Sequence, residues 1–392
     1  MIVVPVSASP SRRWLAHLVR AAAGSIRAGD PFDDEFAFEE AAVLTLARRH
    51  RVAPLLHLGF VKEAIGDPLP ASFRRHCRNA YYATLRKNTV ALEIGSCVRT
   101  ELASEGIQAA PLKGWTLVDG SSPVYDDPGV RPMDDLDLIV RRRDLDRACG
   151  VLTALGFAPV TGRTAARLAG GHEVAFHRRI GGVHLFVELH WAWAGPQSLL
   201  REFALSGDRF LDSFCEEAPG QEGFATPTHL GHLLFVAVHA ARHAFGRWIW
   251  LLDIHRLLTS APLDWGELVR SAHALRVSRP IYAGLVAARE LLRTPVPKEV
   301  LSELSPGPVR RQLLHRSLAA SHGEASTPTS GRVAKLLLGE SWWNVARTAA
   351  WAAVPGRPWY EDRGLDSSLV RRFRRNGGTA WSRMVSTSGS EK

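Results

Sequence analysis

Cysteine is scarce in this chain of 392 residues, and the four present, Cys77, Cys97, Cys149 and Cys215, lie far apart. No Cys-x-x-Cys pair occurs, so neither a zinc knuckle nor a disulfide framework is indicated. No apolar run reaches the roughly 18 residues needed to cross a bilayer. The stretch MIVVPVSASPSRRW has no basic residue ahead of its apolar ones and reaches Arg12-Arg13 early, which does not fit a secretory signal. No internal repeat is found. These absences make a cytoplasmic protein without a membrane span the expectation.

What is present is globular material. Hydrophobic residues make up 46% and charged residues 22%, enough for a sizeable core. The length predicts two or three domains on a prior of about 100–200 residues each. Acidic residues are outnumbered, and the net charge of +10 favours an anionic partner such as a nucleotide, RNA or a membrane surface. Arginine dominates the basic residues, however, and an arginine- and alanine-rich chain can reflect genomic base composition. The charge therefore carries little weight for nucleic-acid binding.

Residues 1–90 read as helical, with apolar residues at helical spacing from Phe36 to Arg51 and on to Phe60 past Pro54. A long helix is predicted from Pro70 to Glu105, with Tyr81, Leu85, Val90 and Ile94 inward. Its Arg74, Arg75, Arg78, Arg86 and Lys87 are expected to be a solvated face. The period then changes. Ile107 to Leu112 reads as a short strand, followed by Lys113-Gly114 and a helical start at Trp115. Arg142 to Leu155 is an amphipathic helix stopped by Gly156, and Phe157 to Val160 another strand. From about Gly220 the chain turns helical again, over Thr228–Phe245, Trp248–Thr259, Trp265–Leu275 and Pro280–Leu292. Trp342, Trp343, Trp351 and Trp359 suggest further packed helices, and the tail from Thr379 reads as disordered. The expected division is 1–90 N-terminal helices, 91–218 an α+β core, 219–330 a helical bundle, and 331–392 C-terminal helices and tail.

Two strands carry the chemistry. Arg131-Pro-Met-Asp-Asp-Leu-Asp-Leu-Ile-Val140 alternates with period two, placing Asp135 and Asp137 on one face and Asp134 on the other. Two carboxylates sharing a face repel, and a hard cation such as Mg²⁺ offsets that cost. An exposed edge with two solvated aspartates is the plain alternative. His172–Arg179 and Val183–Trp193 read as a hairpin about Ile180-Gly181-Gly182. Its second arm sets Val183, Leu185, Val187, Leu189 and Trp191 on one face and His184, Phe186, Glu188 and His190 on the other, a core side and a cleft or solvent side. Phosphate fits the glycine turn at Gly114, where backbone N–H groups at a helix start favour an anion and no side chain obstructs approach. Three carboxylates on adjacent strands would then hold Mg²⁺ against a triphosphate.

The glycine turn, the hydrophobic-Asp-hydrophobic-Asp-hydrophobic strand and a later strand acid resemble the polymerase-β-like nucleotidyltransferase superfamily. More closely, Leu112-Lys113-Gly114, Arg131 to Val140 and Val187-Glu188-Leu189-His190-Trp191 resemble an uncharacterised bacterial nucleotidyltransferase family, as do His239-Ala-Ala-Arg-His243 and Trp250-Leu-Leu-Asp253-Ile254. The resemblance spans about residues 40–300. It implies an α+β fold: a small mixed β-sheet nucleotidyltransferase core flanked by N-terminal helices and a C-terminal helical domain. It implies a transferase that moves a nucleoside monophosphate from an NTP, ATP by expectation, to an acceptor that is a small molecule, a peptide or RNA. It also implies Asp135 and Asp137 as the metal pair, Glu188 as third carboxylate and metal ligand, and Lys113, Gly114 and Arg131 as phosphate contacts. Two departures stand out. Trp115 occupies the place of a serine or second glycine, leaving Thr116 and Lys113 as substitutes, and 21 positions separate Gly114 from Asp135. A non-catalytic nucleotidyltransferase-like binding or regulatory module, with Trp115 blocking the triphosphate, is the competing reading. An RNA-directed transferase of a toxin-type system is the third.

The remaining polar groups read more plainly. His190 is assigned an orienting role behind the ligands. His239 and His243, four apart on a helix, have zinc-ligand spacing, but without an acidic motif between them packing is the expectation. Asp253 is expected to pair with Arg242, Arg247 or one of those histidines, and Trp248 and Trp250 to be core.

Overall fold

The structure, a computed structural model, describes residues 8–26, 37–65, 69–119, 124–160, 171–193, 205–217, 224–322, 328–340, 343 and 346. Four helices come first: α1 (Pro10–Ala22), α2 (Glu40–Arg49), α3 (Ala53–Val61) and the 34-residue α4 (Ala71–Ser104). α1 starts where the Ser9 hydroxyl accepts from the Arg12 N–H and Pro10 supplies a preset φ. The buried stripe of α4 is Phe73, Cys77, Asn88, Ala91, Gly95, Val98 and Leu102. The expected inward residues Tyr81, Leu85, Val90 and Ile94 are half-buried instead. A glycine and an asparagine on the true stripe hid it from an apolar pattern, because each is there to receive a neighbour rather than to fill space.

A five-stranded mixed sheet follows, built from β1 (Ala109–Leu112), β2 (Leu136–Val140), β3 (Ala158–Pro159), β4 (Glu173–Ile180) and β5 (Val183–His190). Its order is β1-β2-β5-β4-β3, with β2 and β5 parallel and the other pairs antiparallel. Gly181 and Gly182, at φ 55° and 76°, give the β4–β5 hairpin its two-residue turn, a geometry in which both central residues need positive φ. Between β1 and β2 lies the short helix α5 (Lys113–Val118), packed on β1 and β2. Between β2 and β3 the expected single helix divides into a 3₁₀ turn (Arg142–Asp144) and α6 (Leu145–Ala154), with Leu145, Cys149 and Leu152 buried.

Unanticipated are α7 (Gly207–Phe214) and a two-stranded ribbon of β6 (Cys215–Glu217) with β7 (Ala225–Pro227). The helical part comprises α8 (His229–Arg242), α9 (Trp248–Ser260), α10 (Trp265–Ala274), α11 (Ser278–Leu292), α12 (Lys298–Leu304), α13 (Pro308–His322) and α14 (Pro328–Leu337). Helices α8, α9 and α11 pack on one another, and α1 joins them through Arg20, which donates to the carbonyls of Glu290 and Leu291. The chain is thus an α+β protein, a mixed sheet between helical layers. Trp343 is exposed rather than packed, while Trp342, Trp351, Trp359 and the tail from Thr379 fall outside the described residues. Among the described residues no helix is long and apolar enough to cross a membrane.

Candidate active site

The parallel register of β2 and β5 builds the site. It sets Asp137 against Glu188 and Ile139 against His190, while Leu136 and Leu138 meet Val187 and Leu189 on the buried face. Alternation leaves the acids on the other face, as the apolar half of each strand seals the core. Strand β2 starts at Leu136, five residues later than the sequence pattern predicts, and Asp135 stands just ahead of it. Pro132 brings no N–H, the Asp134 carbonyl accepts from Lys87 Nζ at 3.2 Å, and the Asp134 carboxylate takes Arg51 at 2.5 Å. Those contacts draw the segment off the sheet. Asp134 and Asp135 both precede the strand, and Asp134 is held by Arg51 and Lys87.

Asp137 is 1% exposed and meets two cations: Lys113 Nζ lies 2.5 Å and His190 Nε2 2.8 Å from its Oδ1. Lys113 is also 3.8 Å from Glu188, and His190 Nε2 3.5 Å from it. The other His190 nitrogen is 3.3 Å from Glu173. Burial pushes the Asp137 carboxyl up, but Lys113 and His190 outweigh it and hold the group below the usual carboxylate range. His190 shows the converse. Burial lowers it, yet Asp137, Glu188 and Glu173 raise it above the ordinary histidine range, to about 9. Asp135 is pushed up to about 7, by burial and then by Asp137, with Lys113 opposing. Lys113 has a φ of 52°, uncommon for a residue with a Cβ.

Asp137, Glu188 and His190 bring one ligand atom each within 4.8 Å of one another, and Asp135 is not part of that tight group. Its two carboxylates suit a hard divalent cation. His172, Glu173 and His190 form another such group, but the Arg242 guanidinium lies 2.5 Å from His172 Nε2, which disfavours a cation there.

The glycine turn differs from expectation. A Cβ on Gly114 would overlap the Arg131 guanidinium, so the notch expected to be open is filled by a side chain. Arg131 is itself buried and bidentate to Asp253, at 3.2 and 2.7 Å, while the Tyr125 hydroxyl donates to the same carboxylate at 2.8 Å. Asp253 therefore pairs with Arg131 and Tyr125, not with Arg242, Arg247 or a histidine. Nothing near Asp253 in sequence signals this, because its partners lie more than 120 positions away. Trp115 turns away from the acids and packs its ring over Gly95 of α4, so it does not cover the site. Thr116 is buried with its hydroxyl unpartnered. Asn88 donates to the carbonyls of Pro128 and Arg131, pinning the loop before β2.

His239 and His243 lie ring to ring at 4.8 Å, and both pack on Trp250. Burial holds both below the ordinary histidine range, His243 at about 3. Glu173 escaped the sequence reading, although a two-residue turn at Gly181-Gly182 implies the register that sets it opposite His190. His232, whose Nε2 is 3.3 Å from the Lys113 carbonyl, carried no such signal.

No match is found among curated proteins or among solved structures. A family model described as uncharacterised nucleotidyltransferase matches residues 37–293, a span that takes in α2 to α11 and every acidic residue of the site. The chain belongs to that uncharacterised nucleotidyltransferase family.

Proposed function

We propose that the chain transfers a nucleoside monophosphate from an NTP, ATP by expectation, to an acceptor hydroxyl, using a divalent ion such as Mg²⁺ in a site of the polymerase-β-like kind. The observation that carries this reading is the pairing of Asp137 with Glu188 across parallel strands, with Asp135 one step ahead. Asp135, Asp137 and Glu188 would hold the ion, which when bound supplies positive charge against the phosphates.

The protein's own groups have distinct tasks. Glu188 is the more solvent-accessible of the β2–β5 acid pair, its side chain 23% exposed against 1% for Asp137, and so suits taking the proton of the acceptor hydroxyl. The acceptor oxygen bonds the α-phosphorus as the bond to the bridging oxygen breaks, and pyrophosphate leaves. His190, held between Asp137 and Glu173, fixes the Asp137 carboxylate. Lys113 sets a buried cation beside the carboxylates, and Lys113, Gly114 and Thr116 are the proposed phosphate side. Arg131 braces the Gly114 turn from behind through Asp253 and is better suited to positioning than to direct phosphate contact.

One observation favours the non-catalytic alternative: the Lys113 ammonium, 2.5 Å from Asp137, offsets that carboxylate's charge from within the chain. Incubation with NTP labelled in the α-phosphate, Mg²⁺ and a cell extract separates the two. Transfer predicts label in an acceptor fraction, lost in Asp137→Asn; a binding module predicts bound but unchanged NTP.

A further inference from the structure

Helix α8 lays one stripe against the sheet that carries the acids. His232, Phe235, His239 and Arg242, three or four residues apart, share a face of the helix. At one end His232 Nε2 lies 3.3 Å from the Lys113 carbonyl. In the middle Phe235 meets the His190 ring edge-on, with 6.4 Å between centroids. At the other end Arg242 donates to the Trp193 carbonyl and reaches His172.

The first turn of α8, which carries His232, is fixed independently of the site. The Thr228 hydroxyl accepts from the Gly231 N–H at 3.1 Å, and the His232 N–H donates to the Thr228 carbonyl at 2.9 Å. Gly231 packs against the end of α7, where a Cβ would stand 2.6 Å from the Phe214 carbonyl oxygen. A capped, close-packed helix end thus delivers His232 to the Lys113 carbonyl. His232 is 4% exposed and burial lowers it to about 3, so the ring is neutral and one nitrogen carries a proton. A carbonyl oxygen can only accept, which makes that nitrogen Nε2.

Lys113 calls for such a hold. Its φ of 52° is a conformation that a residue with a Cβ keeps where its surroundings impose it. A return to negative φ would swing the Cα–Cβ bond and draw the ammonium from its place, 2.5 Å from Asp137 and 3.8 Å from Glu188. Gly114 is braced from another side, because Arg131 fills the space its side chain would take. The hydrogen bond from His232 acts on the peptide of Lys113 itself.

We propose that His232 is a positioning residue: by holding the Lys113 carbonyl it keeps the left-handed turn that sets the Lys113 ammonium beside Asp137 and Glu188. The proposal rests on the transferase reading for the use made of that ammonium, on the phosphate side of the nucleotide, and not for the placement of the lysine.

Competitive acetylation followed by mass spectrometry reads that placement in the full chain without any nucleotide, since a buried, ion-paired ammonium reacts slowly. Lys87 on α4 and Lys298 on α12 are the internal references. His232→Gln keeps an N–H at the reach of Nε2, His232→Asn brings one only to the reach of Nδ1, and His232→Leu fills the volume with no donor. Thermal midpoints check that each variant is folded. Lys113 is expected to react about fivefold faster in the Asn and Leu variants, the scale for loss of one hydrogen bond, and at the wild-type rate in the Gln variant. Lys87 and Lys298 should be unchanged throughout. Unchanged Lys113 reactivity in whichever of the Asn and Leu variants folds overturns the proposal. So does equal acceleration in the Gln variant, or acceleration at all three lysines, which marks general loosening.

Affinity for a non-hydrolysable ATP analogue with Mg²⁺, measured by calorimetry, then tests the use of the lysine. It should fall in the Asn and Leu variants and recover in the Gln variant. Wild-type affinity in a variant whose Lys113 has become reactive overturns the link to the nucleotide. A wild-type protein that binds no analogue removes the transferase reading, and the acetylation rates then decide the positioning of Lys113 alone.

Discussion

Lys113 Nζ sits 2.5 Å from Asp137 Oδ1, both nearly excluded from solvent, so the lysine places its positive charge directly on the carboxylate proposed to hold the divalent ion. Removing one partner of a buried pair strands the other, at a cost on the order of 3 kcal/mol. Lys113→Met is expected to lower the stability of the metal-free protein by about that much, with His190 limiting the loss. Mn²⁺ or Mg²⁺ should then raise the melting temperature of the variant more than that of the wild type. Equal metal response in both proteins would show that lysine and ion do not share a place.

Asp135 carries the opposite sign. Its carboxyl is pushed up to about 7 by burial and by Asp137, so ionising it in the fold is unfavourable. A carboxyl that holds its proton more tightly folded than unfolded adds stability at low pH and loses it as pH rises through the folded value. Asp135→Asn should therefore stabilise the metal-free protein most above pH 7, with the gain shrinking as pH falls and vanishing below about 4. Urea unfolding at pH 8, 6 and 4 measures this, and a gain that grows toward pH 4 would contradict it.

The buried histidines supply the acid limb. His255 is lowered to about 4 by burial, and its Nδ1 is 3.0 Å from the Thr294 hydroxyl. A histidine kept neutral in the fold contributes stability that is complete above its unfolded value of 6.5 and is lost as pH falls toward the folded value. His255→Gln is expected to flatten the loss of stability between pH 6.5 and 4 by up to about 1.4 kcal/mol per pH unit, relative to wild type. An unchanged slope would place the acid sensitivity elsewhere, for which His232, also held at about 3, is the next candidate.

Gly95 tests the mechanical link between α4 and the site. A Cβ there would stand 2.7 Å from the Trp115 ring, and Trp115 is two residues from Lys113 on the same short helix. Gly95→Leu should cost about 1–3 kcal/mol by overpacking, although leucine is the better helix former. It should also weaken NTP binding by shifting α5. Full stability with full binding would show that α5 is not held by this contact.

Much of the fold was legible because period and turn chemistry are local signals. The long α4, the hairpin at Gly181-Gly182 and the α8 to α11 helices each follow from spacing that a few residues reveal. The adjacency of Asp137 and Glu188 needed more, since strand order is not written in either strand; the family resemblance supplied it. What stayed hidden is long-range polar pairing. Tyr125 and Arg131 meet Asp253 across more than 120 positions, and Arg51, Lys87 and Arg247 converge on Asp134 from three separate helical regions. Such pairs have no period. Gly95 and Gly114 were equally mute, because a glycine that receives a tryptophan or an arginine looks the same in sequence as one that makes a turn.

The central claim is that Glu188 acts in the chemical step, and Glu188→Gln tests it most directly. The substitution keeps shape and hydrogen bonding but removes the charge that takes the proton. With α-labelled NTP, Mg²⁺ and the acceptor fraction, transfer by the variant should fall by roughly a hundredfold or more, the scale for loss of a general base, while NTP affinity stays within a few-fold of wild type. Transfer by Glu188→Gln at the wild-type rate would contradict the account, and Glu188 would then be a structural partner of Lys113 and His190.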